Sequence, residues 1–169
     1  MSTQGTAGRF QREELVGKYL TFALGNEEYS VPVLKVREII KIMHITAVPQ
    51  VPEYIKGVVN LRGKVIPVVD LRLKLGFPAQ DYSERTCIIV VEVMLAAGAR
   101  MMGMIVDHVS EVMNVAKEEI EPTPEFGDEI QTDYMKGIAK VRGQVKILLD
   151  LDRVLGVDGT IVMPHPTAA

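Results

Sequence analysis

The chain has 169 residues, of which 47% are apolar and 24% charged, and its 19 basic and 22 acidic side chains give a net charge of −3. This composition is typical of a packed soluble protein, and the length suits one ordinary domain or two small ones that share a core. The slight acidic excess argues against nucleic-acid binding, which favours a clustered basic surface. The single cysteine, Cys87, excludes an intrachain disulfide, and we expect it to be a buried structural thiol.

The sequence shows no signal-peptide pattern and no membrane-spanning run, because Glu92 and Arg100 interrupt its most apolar region. We therefore expect a cytoplasmic protein whose link to a membrane comes through a partner. Residues 1–16 and 158–169 are predicted to be flexible tails, since they carry small and polar residues with little to bury.

The predicted secondary structure is mostly β. An alternating stretch at 18–24 is followed by Gly25-Asn26 and a second stretch at 28–33, which predicts a hairpin. Apolar stretches on either side of Arg62-Gly63-Lys64 and of residues 96–99 predict two more hairpins. Short strands broken by Gly and Pro at close spacing favour a sandwich or barrels over alternating strands and helices.

Helical signals are few and short. The apolar spacing from Val33 to Ile40 predicts one or two helical turns. Asp70 as an N-cap and Gly76 as a terminator predict a second short helix, and residues 150–156 show the same pattern.

The strongest internal feature is a repeat at a spacing of 80 residues. Residues 54–76 return at 134–156 with 10 identities in 23 positions. A fainter match at a spacing of 73 relates Val33, Val36 and Glu38 to Val106, Val109 and Glu111, and the loop at 121–128 accounts for the difference. The repeat predicts two similar β modules, 17–84 and 85–157, that pack together and leave a groove between them.

No catalytic or metal-binding motif is found in the sequence. The three histidines, His44, His108 and His165, lack the spacing of metal ligands, and Arg62-Gly63-Lys64 lacks the Gly and Ser/Thr of a phosphate loop. With 5% aromatic residues and no Trp, the chain also lacks the stacking side chains of a single-strand nucleic-acid binder. We predict no enzyme activity and no cofactor.

Two segments have two interpretations each. Residues 33–42 mix Val and Ile with charged side chains, which suits a partly wet protein interface, but Val36 and Ile39 at helical spacing also suit a core. The predicted hairpin at 94–104 carries four methionines, which fit either an adaptable contact surface or the filling of gaps in a core.

Several segments resemble the CheW family, at 22–29, 31–39, 52–63, 66–72, 103–109, 124–126 and 134–137. The most specific run is Ile55-Lys56-Gly57, then Asn60-Leu61-Arg62-Gly63, then Pro67-Val68-Val69-Asp70-Leu71. The resemblance covers residues 17–157 and implies an all-β fold of two packed five-stranded SH3-like barrels with a hydrophobic core between them. The length of the chain favours a free-standing member over the regulatory domain of the kinase CheA or a CheV adaptor.

The resemblance also implies a function and its partners. Members are non-catalytic adaptors that couple the cytoplasmic tips of methyl-accepting chemoreceptors to the regulatory domain of the histidine kinase CheA, in membrane-associated arrays. Other copies of the same protein in rings are a further candidate partner. The alternative is a small-ligand-binding barrel or a protein-interaction scaffold outside chemotaxis.

The candidate contact residues also come from the resemblance. Receptor contact is expected in the groove between barrels, at Val33, Val36, Glu38, Ile39, Gly57, Leu61 and Arg62. Kinase contact is expected at the barrel ends, at Val36, Ile40, Ile42, Leu149, Leu151 and Arg153. We further expect Glu38 and Arg62 to form an ion pair that holds the hairpin tip against residues 33–39.

Overall fold

The computed structural model describes residues 10–124 and 133–156. Strands dominate, with bounds β1 Gly17–Leu24, β2 Glu27–Pro32, β3 Val36–Lys41, β4 Ile55–Leu61, β5 Lys64–Asp70, β6 Cys87–Leu95, β7 Gly98–Val106, β8 His108–Val115, β9 Ile120–Glu121, β10 Met135–Val141 and β11 Gln144–Leu149. The helical segments are short: α1 Arg12–Leu15, α2 Leu71–Lys74, 3-10 turns at Val33–Lys35 and Lys117–Glu119, and a π turn at Asp152–Gly156. No helix in these two stretches is long and apolar enough to cross a membrane.

In the described part of the chain the strands form two sheets. The five-stranded sheet has the order β3-β6-β7-β5-β4 and the six-stranded sheet the order β8-β1-β2-β11-β10-β9, and we call them the first and second barrels. The additional strand β9 has two residues, and Thr46 makes a single bridge to Val58 at the equivalent place in the first barrel. The predicted all-β class and the three predicted hairpins are confirmed.

The hairpins are exchanged between the two repeats. The β1–β2 hairpin of the first repeat pairs with β8 and β11 of the second, and the β6–β7 hairpin of the second pairs with β3 and β5 of the first. The predicted modules 17–84 and 85–157 therefore follow the sequence repeat but not the barrels. A repeat shows which strands are equivalent, but it does not show which copy they pair with, because the partner strands are equivalent as well.

Three hydrophobic clusters hold the fold together. The largest lies between the barrels and joins Phe22 and Leu149 of the second barrel to Ile89 of the first. These three side chains are fully buried, and burying each one stabilises the fold by about 1.5–3 kcal/mol. The two smaller clusters fill the barrels, around Ile66 in the first and Leu148 in the second.

The repeat is visible in the backbone as well as in the sequence. Arg62 and Arg142 have the same positive φ of 52° at the two hairpin tips. The amide of Asp70 donates to the carbonyl of Tyr54 at 2.7 Å, and Asp150 donates to Tyr134 at the same distance. Each copy also has a bulge in its first strand, three residues into the repeat.

Several local predictions need correction. The predicted helix at 33–40 is a single 3-10 turn followed by β3, because pairing with β6 outweighs the helical spacing of the apolar residues. The helix after Asp70 is confirmed, with its carboxylate accepting from the Leu73 amide at 3.3 Å, whereas residues 152–156 form a π turn.

The predicted N-terminal tail is also too long. Residues 12–15 form α1, and Leu15 packs into the core of the second barrel. The predicted tails at 1–9 and 158–169, and most of the inserted loop at 121–128, lie outside the described residues.

Candidate docking surface

The centre of the candidate surface is an ion pair between Glu38 and Arg62. Arg62 Nη1 donates to Glu38 Oε2 at 3.0 Å and Nη2 donates to Oε1, so the contact is bidentate and the predicted pairing is confirmed. The hydrogen bond from Arg62 lowers the pKa of Glu38, and the reciprocal bond raises the pKa of Arg62. β3 and β4 are the two edge strands of the five-stranded sheet. The ion pair therefore links the two edges of the sheet across the opening of the first barrel.

The hairpin that carries Arg62 is shaped by its own backbone. The amide of Gly63 donates to Asn60 Oδ1 at 2.9 Å, which closes the turn. The guanidinium remains exposed while Glu38 is less so, with side-chain exposures of 70% and 29%. The bidentate contact with Glu38 thus fixes the orientation of the Arg62 guanidinium, which remains accessible to solvent.

Exposed apolar side chains lie within five residues of Glu38 or Arg62 in the sequence. Leu34 in the 3-10 turn is 86% exposed, Ile39 in β3 is 45% exposed and Val65 in β5 is 68% exposed. Val33 and Val36 are half-buried and pack against the core between the barrels. An exposed leucine beside partly buried valines is typical of a surface that is covered by another protein.

Two of the predicted receptor residues are buried in the first barrel. Leu61 is buried in the core of the first barrel. Gly57 is also buried, with φ of +139°, and a Cβ atom there would lie 2.0 Å from the carbonyl oxygen of Thr46. Both residues therefore support the hairpin that ends in Arg62 without forming part of the exposed surface.

The predicted kinase residues differ in their exposure to solvent. Leu149 and Leu151 are 0% and 1% exposed in the core between the barrels, so their side chains are unavailable to a partner and this prediction is wrong. Ile40 and Ile42 are half-buried against the core of the first barrel. Arg153 is half-exposed and bonds Asp133 at 3.3 Å. The apolar residues after Gln144 follow the strand pattern, and their burial depends on the packing of the second barrel on the first.

The 3-10 turn at Val33–Lys35 is anchored to Asp152, the first residue of the π turn. Lys35 Nζ donates to Asp152 Oδ1 at 3.0 Å, and the same oxygen accepts from the Met94 amide at 2.9 Å. A second link between the barrels joins Arg72 to Asp107 at 2.5 Å, and Asp107 also accepts from the Gly25 amide at 2.7 Å. The Lys35–Asp152 contact helps to fix the position of the turn that carries Leu34.

Comparisons with known proteins agree with this geometry. The model of the CheW-like domain matches residues 18–158. The chain is 37% identical to the chemotaxis protein CheW of Klebsiella aerogenes over 155 residues, which are 92% of this chain and 91% of that protein. It is 37% identical to CheW of Bacillus subtilis over 139 residues, which cover 82% and 86% of the two chains. The chain belongs to the CheW-like family.

A solved CheW structure shows the same fold. The crystal structure of the scaffolding protein TtCheW from Thermoanaerobacter tengcongensis matches with a TM-score of 0.75 at 35% identity, covering 88% of this chain and 98% of that one. The family resemblance and the two-barrel fold inferred from the sequence are therefore confirmed.

An open groove of about 880 Å³ in this CheW-like chain is lined in part by Val65 of the candidate surface. Its apolar lining includes Leu95, Met101 and Met102, and Arg37 and Arg100 contribute to its rim. Met104, in contrast, is fully buried, so the methionine-rich hairpin supplies both core and surface. The predicted receptor residues do not line this groove.

Sequence reasoning did not single out Leu34 and Val65. Both are exposed apolar residues. Each lies in an apolar run, at 31–36 or 65–69, at a position that does not share the alternation of the buried residues in that run.

Cys87 is half-buried rather than buried, and burial raises the pKa of its thiol. Within residues 10–124 and 133–156, no cluster of His, Cys, Asp and Glu has the arrangement of a metal site.

Proposed function

We propose that this chain is a non-catalytic adaptor that couples methyl-accepting chemoreceptors to the histidine kinase CheA. Its membership of the CheW-like family supports a place in chemotaxis. The observation that carries the proposal is the bidentate Glu38–Arg62 pair, with the exposed apolar residues Leu34, Ile39 and Val65 within five residues of it in the sequence. The protein would act from the cytoplasm and reach receptor arrays through these contacts.

The first barrel is the proposed receptor-binding side. Leu34, Val33 and Val36 supply apolar area at the junction of the barrels, where the helical tip of a receptor can bury its own apolar side chains. Arg62, held by Glu38, gives the surface a charged group of fixed orientation beside that apolar area. Rigid anchors of this kind reduce the entropy lost on binding.

The kinase regulatory domain is the proposed second partner, bound at a barrel end. Because Leu149 and Leu151 are buried, the candidates that remain are Val36, Ile40, Ile42 and Arg153. Ile40 and Ile42 are half-buried at the border of the first barrel, so the kinase contact would lie close to the receptor surface without occupying the 3-10 turn.

A calorimetric titration with a receptor tip fragment tests the receptor side. Ile39→Asp places a charge on the proposed surface, and Val112→Asp makes the same change at the equivalent position of the second barrel, where the side chain is 56% exposed. We expect Ile39→Asp to weaken binding at least about tenfold and Val112→Asp to leave it unchanged. Equal effects of the two variants would contradict the placement of the surface.

A further inference from the structure

The second barrel contains a lysine with almost no exposed surface. Lys146 lies in β11 with a side-chain exposure of 1%. Its ammonium group donates to Glu28 of the exchanged β1–β2 hairpin and to Gln144 Oε1 at 3.3 Å, and it lies 3.9 Å from Glu111. The Lys146–Glu28 contact thus joins a hairpin of the first repeat to a strand of the second.

The equivalent contact in the first barrel is apolar. The spacing of 80 relates Lys146 to Ile66, and the spacing of 73 relates Glu28 to Met101. Ile66 is 2% exposed, and Met101 packs against the same cluster. One exchanged hairpin is therefore held by an ion pair and the other by an apolar contact at the same position.

We propose that the Lys146–Glu28 pair selects the exchanged arrangement of hairpins over the alternative in which each hairpin stays within its own repeat. In that alternative Glu28 would face Ile66 and Met101 would face Lys146. The ammonium group would remain buried without its nearest carboxylate, keeping only Gln144 and the more distant Glu111. A buried charge that loses its partner is strongly unfavourable, whereas exchanging one apolar contact for another changes little.

A second ion pair between the repeats contributes less to this selection. Arg37 of β3 bonds Glu92 of the exchanged β6–β7 hairpin, but their side chains are 47% and 34% exposed. Water replaces a lost partner at such a site, so the contact discriminates weakly between the two arrangements. Of these two ion pairs, the one that contains the buried lysine therefore discriminates more strongly between the two arrangements.

The selected arrangement has a consequence for the docking surface. Because β2 lies in the second barrel and β3 in the first, the chain crosses between barrels at residues 33–35. That crossing is the 3-10 turn that carries Leu34 and is bordered by Val36. The proposal itself concerns the pairing of strands, and its test is independent of receptor or kinase binding.

Paired cysteines distinguish the two arrangements in a Cys87→Ser background. Lys18 of β1 lies opposite Asn114 of β8, and both residues are exposed. The strand register makes Lys18 equivalent to Cys87, which lies opposite Lys41 of β3. A Lys18→Cys/Asn114→Cys disulfide therefore reports the exchanged form, and Lys18→Cys/Lys41→Cys reports the other.

The test compares oxidation of these pairs after refolding at low protein concentration, read as intrachain disulfides on non-reducing gels. With Lys146 and Glu28 intact, we expect only the 18–114 disulfide. In the Lys146→Ile/Glu28→Met variant, which copies the first barrel, we expect the 18–41 disulfide to increase at least about tenfold. Arg142→Ala is the control, because its bond to Glu111 lies within one repeat and is the same in both arrangements.

A Glu28→Gln variant, which keeps the shape of the side chain, serves if the double variant does not fold. It should also raise the 18–41 disulfide, by less than the double variant. If the 18–114 disulfide alone forms in every folded variant, the ion pair does not select the arrangement and the proposal is wrong. The same conclusion follows if Arg142→Ala raises the 18–41 disulfide as much.

Discussion

Arg62 and Arg142 occupy equivalent hairpin tips, and each bonds a glutamate at the other end of its own sheet. Arg62 bonds Glu38 in the first barrel, and Arg142 Nη2 lies 3.1 and 3.3 Å from the two carboxylate oxygens of Glu111 in the second. Leu34, four residues before Glu38, is 86% exposed, whereas its equivalent, Asp107, four residues before Glu111, bonds Arg72. The two barrels thus offer matched pairs of variants: a substitution in the first barrel tests docking, and the equivalent substitution in the second barrel serves as its control.

The Glu38–Arg62 pair should matter to docking as a unit. Removing either partner frees the other, so Glu38→Ala and Arg62→Ala should each weaken receptor binding, and the double variant should lose less than the sum of the two. Calorimetric titration of the three variants against a receptor tip fragment measures the coupling. Additive losses would mean that the two side chains act independently.

Gly57 should be among the residues least tolerant of substitution. Its positive φ and the 2.0 Å approach of a Cβ to the Thr46 carbonyl oxygen require the backbone to move in Gly57→Ala. We expect a loss of about 3 kcal/mol or more in the free energy of unfolding, measured in urea. Gly63→Ala is the control, because its φ is +86° but no atom lies within 4 Å of the added Cβ, and it should cost about 1 kcal/mol.

The sequence predicts the local features of this structure better than the pairing of its strands and the packing of its barrels. The repeat and the hairpin turns follow from residue identity and spacing, because turn residues act locally. The Glu38–Arg62 pair joins residues 24 apart in the sequence, and its prediction rests on the family resemblance, which places both residues in one groove. The exchange of hairpins does not, because equivalent strands fit either copy. The burial of Leu149 and Leu151 was missed for a related reason. The alternation of a strand shows that it has two faces, but it does not show that one of these faces is covered by the other barrel.

Leu149 and Leu151 should behave as core residues. Since both lie between the barrels, Leu149→Ala and Leu151→Ala should each lower the free energy of unfolding by about 2–5 kcal/mol. The fraction that remains folded should bind the kinase regulatory domain with unchanged affinity. A stable Leu151→Ala variant with weakened kinase binding would show that this side chain is a contact after all.

Acid should destabilise the fold partly through Glu28. The hydrogen bond from Lys146 holds the pKa of Glu28 below its ordinary value of 4.5, so its stabilising contribution is present above that value and is lost as the pH falls through the lowered pKa. We expect Glu28→Gln to cost about 1.5–3 kcal/mol near neutral pH. Urea unfolding from about pH 7 to about pH 3 should show this difference shrinking as the pH falls. A constant difference would contradict the assignment.

The most direct test of the adaptor proposal is whether the chain binds both partners at the same time. The kinase regulatory domain would be titrated into a preformed complex of this chain with a receptor tip fragment, followed by calorimetry and by size-exclusion chromatography with light scattering. The proposal predicts a ternary complex with kinase affinity close to that of the free chain. Release of the receptor fragment as the kinase domain binds, or binding of only one partner by the folded chain, would contradict it.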